Sequence, residues 1–148
     1  MKVRGSIIIA VPPEKVWPFL VEPEKILKWC ITFKTFEYTG EKHSGSGTTA
    51  YVEEQAGGLL MKLNFEVTEW VENRRLAFSM TSGTWVRSYL QKWTVSPFAL
   101  KDGSQFIFME EVVLPFGIIG KLIGIFAQRS SEARVEEMLI KLKRLAEA

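Results

Sequence analysis

Two carboxylate doublets, Glu53-Glu54 and Glu110-Glu111, come closest in this sequence to residues arranged for acid–base chemistry. Both lie in stretches whose alternating apolar residues predict β-strands. Adjacent strand residues point to opposite faces, so neither doublet can act as a pair, and one member of each faces inward. Glu110 shares its parity with a bulky apolar set, which indicates the inner face: Phe106, Phe108, Val112 and Leu114. We therefore expect Glu110 to be an acid on the inner side of the fold.

The segment that precedes Glu110 offers polar partners for this acid. If Trp93 and Val95 face inward, the same parity brings four more residues inward, namely Trp85, Arg87, Tyr89 and Gln91. A turn at residues 99–103 would place Gln91 opposite Glu110. A buried carboxylate needs a partner or a raised pKa. The functional interpretation is a polar patch that orients a hydroxyl or carbonyl group of a ligand. The alternatives are a structural network, or the opposite parity with the polar groups in water.

Other reactive side chains are scarce, since the chain has one histidine and one cysteine. His43 lies in a polar, glycine-rich loop, which is typical of a solvated histidine. Cys30 follows a short predicted helix and is more typical of a small buried hydrophobe than of a nucleophile. A zinc or non-haem iron centre needs several such ligands, so we expect neither a metal nor a cofactor. An isolated cysteine also fits a reducing compartment, and we expect a cytoplasmic location.

Length and charge exclude several classes of protein. The 148 residues suit one domain, residues 1–148, and 47% of them are hydrophobic. A net charge of +2 gives no basis for binding nucleic acid. No stretch reaches the ~18 apolar residues that a membrane-spanning helix needs, so we expect membrane contact to be peripheral at most.

The periodicity along the chain predicts the elements that must position these residues. Residues 2–10 form a first strand, which Pro12 and Pro13 end. Two short helices follow, at 13–20 and 22–29. Six further strands are predicted at residues 33–39, 48–55, 60–71, 76–80, 85–95 and 105–114. From Ile118 the apolar spacing becomes helical for about 30 residues.

This order predicts a layered fold with an internal space. An antiparallel sheet needs a cover on one face, and the long helix is the only element large enough to provide it. The space between a curved sheet and such a helix is a default ligand site. Most aromatic residues inside are expected to serve both as core and as lining. Besides the polar set, the expected ligand-binding residues are Phe65, Phe78, Trp85, Trp93, Phe108, Ile119, Ile123 and Phe126.

The sequence from Ile9 to Trp17, an apolar strand followed by Pro-Pro-Glu-Lys-Val-Trp, resembles the opening of the START-like, or SRPBCC, superfamily. The turn at residues 101–106 is similar to that superfamily's final hairpin, and residues 116–122 and 139–143 are similar to the two ends of its long helix. The nearest subgroup is the polyketide cyclase/dehydrase-like one. The resemblance implies an α+β helix-grip fold. In that fold about seven antiparallel strands wrap around the C-terminal helix, with two short helices after strand 1.

The resemblance leaves three functions open. The first is binding, and in some cases transport, of a small hydrophobic molecule: a lipid, an isoprenoid quinone or a polyketide-like aromatic. The second is a cyclase or dehydratase that uses Glu110 as acid or base, with Arg87 or Tyr89 steering an oxygen. The third is an interaction module that touches membranes through residues 116–126. Neither the ligand nor the oligomeric state follows from the sequence.

Overall fold

The computed structural model describes the backbone of residues 1–100, 102–115 and 117–148, and the side chains of all of these except residues 118–127. The elements follow in the order β1 (Lys2–Ile9), α1 (Pro13–Val16), α2 (Pro18–Val21), α3 (Pro23–Trp29), β2 (Phe33–Thr39), β3 (Thr49–Ala56), β4 (Leu59–Val71), β5 (Arg75–Gly83), β6 (Ser88–Phe98), β7 (Gly103–Val113) and α4 (Gly117–Glu147). The predicted fold class is confirmed.

Prolines organise the short helices after β1. Pro13, Pro18 and Pro23 each stand at the start of one helix, where the missing N–H costs no hydrogen bond. Pro18 divides the first predicted helix after Trp17, so the segment contains three short helices where two are predicted. Their apolar side chains pack beneath the sheet's end, including Val16, Leu20, Ile26 and Trp29.

The seven strands form one antiparallel sheet in the order β1-β7-β6-β5-β4-β3-β2. Inward and outward residues alternate as the sequence predicts. On β4 the buried residues are Met61, Leu63, Phe65 and Val67. On β6 they are Tyr89, Gln91, Trp93 and Val95. This strand begins only at Ser88 and continues past Pro97 to Phe98, later at both ends than the predicted segment.

The sheet is strongly curved. Glu54 on β3 and Tyr89 on β6 are three strands apart, which would separate them by about 14 Å in a flat sheet. Their side chains nevertheless touch, with the Tyr89 hydroxyl 2.7 Å from Glu54 Oε1. Inward residues from distant strands therefore meet inside the curve.

The long helix α4 closes the interior by packing on β1. Gly5 permits this contact, because a Cβ at this position would lie 2.8 Å from Leu139 Cδ1 and 2.9 Å from Val135 Cγ1. At the far end of the helix, the backbone N–H of Ala10 donates to the Glu147 carboxylate at 2.9 Å. Within the part of the chain that the structure describes, no helix is both long and apolar enough to cross a lipid bilayer.

Candidate ligand cavity with a carboxyl pair

A cavity of about 380 Å³ lies between α4 and the sheet. Its rim comes from the β3–β4 turn, the segment before β6 and the end of β7. The apolar part of the wall includes Met61, Val86, Val112, Leu114, Val135 and Met138. The polar part includes Thr32, Glu54, Tyr89, Glu110, Ser131 and Arg134. An apolar wall with a few convergent polar groups is typical of small-molecule sites, and the volume falls in their lower range.

A row of hydrogen bonds runs along β6 toward this cavity. Trp93, Gln91 and Tyr89 are successive inward residues of the strand. The Trp93 indole N–H donates to Gln91 Oε1 at 2.8 Å, and Gln91 Nε2 donates to the Tyr89 hydroxyl at 2.7 Å. The tyrosine then donates to Glu54 Oε1 at 2.7 Å. All four side chains are buried, so each depends on these partners.

Glu54 is therefore held from two sides. Its other carboxyl oxygen accepts a hydrogen bond from the Thr32 hydroxyl at 2.8 Å. Burial raises the pKa of Glu54. The hydrogen bonds from Tyr89 and Thr32, and the charge of Arg134 on α4, act in the opposite direction.

Glu110 lies on β7, where it pairs with Gln91 of β6, and it borders the cavity. Its pKa is raised to about 8, first because burial disfavours the carboxylate and second because Glu54 lies nearby with like charge. Nearness to the Tyr89 hydroxyl and to the N-terminal ammonium opposes this increase. With a pKa of about 8, the Glu110 carboxyl is mostly protonated at neutral pH. Such a site can offer both a hydrogen-bond donor and an anion to a ligand.

The structure brings three of the predicted polar residues together. Tyr89 and Gln91 are buried, Glu110 is half-buried, and the predicted pairing of Gln91 opposite Glu110 is observed in the β6–β7 register. Tyr89 and Glu110 border the cavity directly, whereas Gln91 lies behind the tyrosine. The inward parity on which these predictions depended is confirmed for both strands.

The inward strand positions predicted for Arg87 and Trp85 are wrong, although Trp85 does line the cavity. The strand begins only at Ser88, so its alternation does not extend back to these residues. Arg87 is exposed and is not part of the cavity wall, which rules out the inward position predicted for it. Trp85 lies at the cavity mouth with 54% of its surface exposed and a left-handed backbone, at φ 68°. Val86 faces inward between them.

Four of the aromatic residues predicted to line the cavity lie in the packed core instead. Phe65, Phe78, Trp93 and Phe108 are almost fully buried and are absent from the cavity wall. Edge-to-face contacts fill the space around them, such as those of Phe78 with Trp93 and of Phe65 with Tyr89. These four residues belong to the core alone, whereas other core residues, such as Met61, Tyr89 and Val112, also line the cavity. The predictions for Ile119, Ile123 and Phe126 lie outside the residues whose side chains are described.

Sequence reasoning missed several polar residues of the cavity, among them Glu54, Arg134 and Thr32. Glu54 shares its parity with the apolar Ala50 and Val52, and this signal could have selected it from its doublet. Arg134 lies one helical turn before Met138, on the face that carries Ser131 and Val135, so the helical period could have found it. Thr32 lies in the turn between α3 and β2, where no periodicity indicates a direction.

The remaining reactive side chains take no part in the cavity wall. His43 is exposed in the β2–β3 turn, with Nε2 3.0 Å from the Gly40 carbonyl oxygen. Cys30 is fully buried, and burial together with the charges of Glu54 and Glu110 raises the pKa of its thiol. Among the residues that the structure describes, no three potential metal ligands lie together.

Solved structures similar to this one show the same fold. A protein from Thermus thermophilus is 22% identical, with a TM-score of 0.81 over 99% of this chain and 97% of that one. A START superfamily protein from Mycobacterium smegmatis is 14% identical, with a TM-score of 0.77 over 97% and 98% of the two chains. The Zhui aromatase/cyclase from a Streptomyces species is 16% identical, with a TM-score of 0.71 over 99% and 93%.

No curated protein matches the chain. The family described as polyketide cyclase / dehydrase and lipid transport matches residues 1–147. A match over this length covers the whole sheet, the short helices and α4. The chain therefore belongs to the polyketide cyclase/dehydrase and lipid transport family.

Proposed function

We propose that this protein binds one small, largely apolar molecule in the cavity under α4, with the polar end of the molecule against Glu110 and Glu54. The observation that carries the proposal is a cavity of about 380 Å³ whose largely apolar wall contains two neighbouring carboxyl groups. A fully packed interior would leave no room for a ligand. Family membership supports the same class of function, since its description includes lipid transport.

The size of the cavity favours compact ligands. Its volume lies near the lower end of the range for small-molecule sites. A fused-ring aromatic, a quinone head group or a single acyl chain fits this space better than a lipid with two chains. Binding would consist of burial without covalent chemistry, as in a carrier.

Two substitutions on β7 test the proposal as a matched pair. Val112 is buried and lines the cavity, whereas its neighbour Val113 is 47% exposed on the other face. We expect Val112→Phe to fill the cavity and to weaken binding of 2-acetylnaphthalene at least about tenfold, and Val113→Phe to leave it unchanged. Binding is measured by NMR titration, and native mass spectrometry of the purified protein detects co-purified lipid. Equal binding by the two folded variants, or no binding of any apolar probe to the unaltered protein, would contradict the proposal.

A second candidate function is cyclase or dehydratase chemistry with Glu110 as the acid. The specific observation in its favour is that the pKa of Glu110 is raised to about 8, so this carboxyl keeps a proton at neutral pH next to the cavity. The similar structure of an aromatase/cyclase is compatible with this function. Arg87 takes no part in this version, because it is exposed. Tyr89 keeps its proposed role of orienting a substrate oxygen, and Arg134 replaces Arg87 as the cation in that role.

Catalysis and binding are separated by Glu110→Gln. If Glu110 is catalytic, Glu110→Gln should lower product formation from a poly-β-ketone substrate at least about a hundredfold. Chromatography and mass spectrometry measure the product. A pure carrier forms no product in either protein. Tyr89→Phe is the companion variant, since it removes a hydroxyl while keeping the ring.

A further inference from the structure

The hydrogen bonds along β6 have a fixed direction. An indole N–H can only donate, so the Gln91 oxygen must face Trp93 and the Gln91 amide nitrogen must face Tyr89. The tyrosine oxygen accepts from that nitrogen, and its own proton is left to point at Glu54. The direction of the whole row is thus imposed by its first member, which lies in the packed core.

At the other end of the row, Glu54 receives two donors. Tyr89 donates to one carboxyl oxygen and Thr32 to the other. A carboxylate is an acceptor only, and hydrogen bonds to the charged form favour it. Glu110 stands near the same tyrosine, whose single proton is already used. Of the two facing acids, Glu54 has the arrangement of an anion and Glu110 that of an acid which keeps its proton.

We propose that Trp93, acting through Gln91 and Tyr89, determines which of the two carboxyl groups is protonated, so that Glu110 donates a hydrogen bond into the cavity and selects ligands whose polar end is a neutral oxygen acceptor. Trp93, Gln91 and Tyr89 are then positioning residues for Glu110. The ligand part of this inference rests on the proposed function, whereas the part about the proton does not.

Several charged or titratable groups face this pair from the surrounding elements. Arg134 on α4 lowers the pKa of Glu54, and the Met1 ammonium, bonded to the Val112 carbonyl oxygen at 2.7 Å, lowers that of Glu110. Burial and the two carboxylates raise the pKa values of the Tyr89 hydroxyl and the Cys30 thiol, so both remain neutral near pH 7. Arg134 favours the charged form of Glu54, as the proposal requires, whereas the Met1 ammonium favours the charged form of Glu110 and acts against it.

The proton is tested by carboxyl carbon NMR on protein labelled at the glutamate δ-carbon. Glu54→Gln and Glu110→Gln identify the two signals. In Trp93→Phe, Gln91 is free to turn and Tyr89 to redirect its proton. We expect the pKa of Glu110 to fall and that of Glu54 to rise, each by about one pH unit. Tyr89→Phe removes the donor to Glu54 altogether, so the pKa of Glu54 should rise in this variant too, which keeps the test valid if Trp93→Phe does not fold.

Trp29→Phe is the matched control. Trp29 is buried beside Trp93, with ring centroids 5.0 Å apart, but its N–H donates to the Phe19 carbonyl oxygen outside the row. The two variants lose the same ring volume from the same region. A movement of the two carboxyl pKa values in opposite directions with Trp93→Phe alone supports the proposal. Equal effects of both variants, or no movement in a folded Trp93→Phe protein, overturn it.

Ligand selection is tested with two naphthalene probes that share one ring system, 2-acetylnaphthalene and 2-naphthylmethylamine. We expect the ketone to bind at least about tenfold more tightly than the amine at pH 7, and to lose this advantage in Trp93→Phe and above pH 8.5. A preference for the amine overturns the selection. If no probe binds but the NMR titration behaves as expected, the proposed function fails while the control of the proton stands. If the probes bind but the two carboxyl pKa values do not change in Trp93→Phe, the proposed function stands and the control of the proton fails.

Discussion

The interior of this protein has two ends that are built from the same alternation of strand residues but differ in what fills them. Beneath the short helices the space is full of rings: the Trp29 centroid lies 5.0 Å from that of Trp93 and 5.8 Å from that of Phe106. Toward the middle of α4 the space is open and carries Glu54 and Glu110. Large aromatic side chains fill one end, whereas the other end holds the buried Glu54, the half-buried Glu110 and empty volume. The difference shows that a helix-grip interior need not be uniform.

The largest effect expected from this difference is a contrast between two tryptophans. Trp29→Ala removes a fully buried ring and its hydrogen bond, and should lower the free energy of unfolding by about 3–5 kcal/mol. Trp85→Ala makes the same chemical change at the cavity mouth, where 54% of the side chain is exposed, and should cost less than about 1 kcal/mol. Urea unfolding followed by circular dichroism measures both. Equal losses would mean that the two ends are packed alike.

The packed end is also the end that sequence reasoning predicted well. Strict alternation on β4 and β6 predicted the sheet and its inward residues, and prolines at the starts of the short helices predicted the helical segment after β1. These signals are local, because each depends on neighbours along the chain. The same alternation also predicted Glu110, at the open end, opposite Gln91, and this pairing is confirmed.

The open end depends on contacts that no local pattern records. Glu54 contacts Tyr89 only because the sheet is curved, since the two residues would be about 14 Å apart in a flat sheet. The start of β6 at Ser88, which excludes Arg87, follows from the turn at Trp85 rather than from apolar spacing. The split between filled core and cavity depends on how rings pack in three dimensions. Composition and parity carry no information on that packing.

The boundary between the two ends can be tested at Gly5. Both side chains above it are buried, but only Val135 lines the cavity, and Leu139 does not. Gly5→Ala places a methyl group within 3 Å of both, so α4 must shift or the side chains must change rotamer. We expect a loss of about 1–3 kcal/mol in unfolding free energy and weaker binding of 2-acetylnaphthalene.

The control for this change is Gly58→Ala, where an added Cβ meets no atom within 4 Å. It lies in the β3–β4 turn near the cavity rim and should leave both measurements unchanged. An unaffected Gly5→Ala protein would show that α4 does not rest directly on β1.

The acid at the open end predicts a stability that depends on pH. The pKa of Glu110 rises from an ordinary 4.5 to about 8 on folding, so the folded protein binds more protons between these values than the unfolded chain does. The free energy of unfolding therefore falls as pH increases from about 4.5 to 8, and this loss of stability is complete above pH 8. Glu110→Gln removes the loss, because the amide does not ionise. The variant should be more stable than the unaltered protein at pH 9, by on the order of 1–2 kcal/mol, and equally stable below pH 4.5.

Glu111→Gln, a change of the adjacent carboxyl on the outer face, is the comparison for that measurement. Glu111 lies 3.6 Å from the Lys2 ammonium group, with its side chain 39% exposed. Thermal unfolding from pH 4 to pH 9 gives the three profiles. If Glu111→Gln produces the same increase at pH 9, the effect comes from net charge and not from the buried pair.

The smallest expected effect concerns the backbone at the cavity mouth. Trp85 has a φ of 68°, a left-handed conformation that costs a bulky residue about 1 kcal/mol or more. Glycine adopts it without strain, so Trp85→Gly should be more stable than Trp85→Ala by about 1 kcal/mol, although glycine is normally the less stable of the two. Urea unfolding of the two variants measures the difference. A more stable alanine variant would show that the turn relaxes once the indole is removed, and that the indole itself holds the mouth in its strained form.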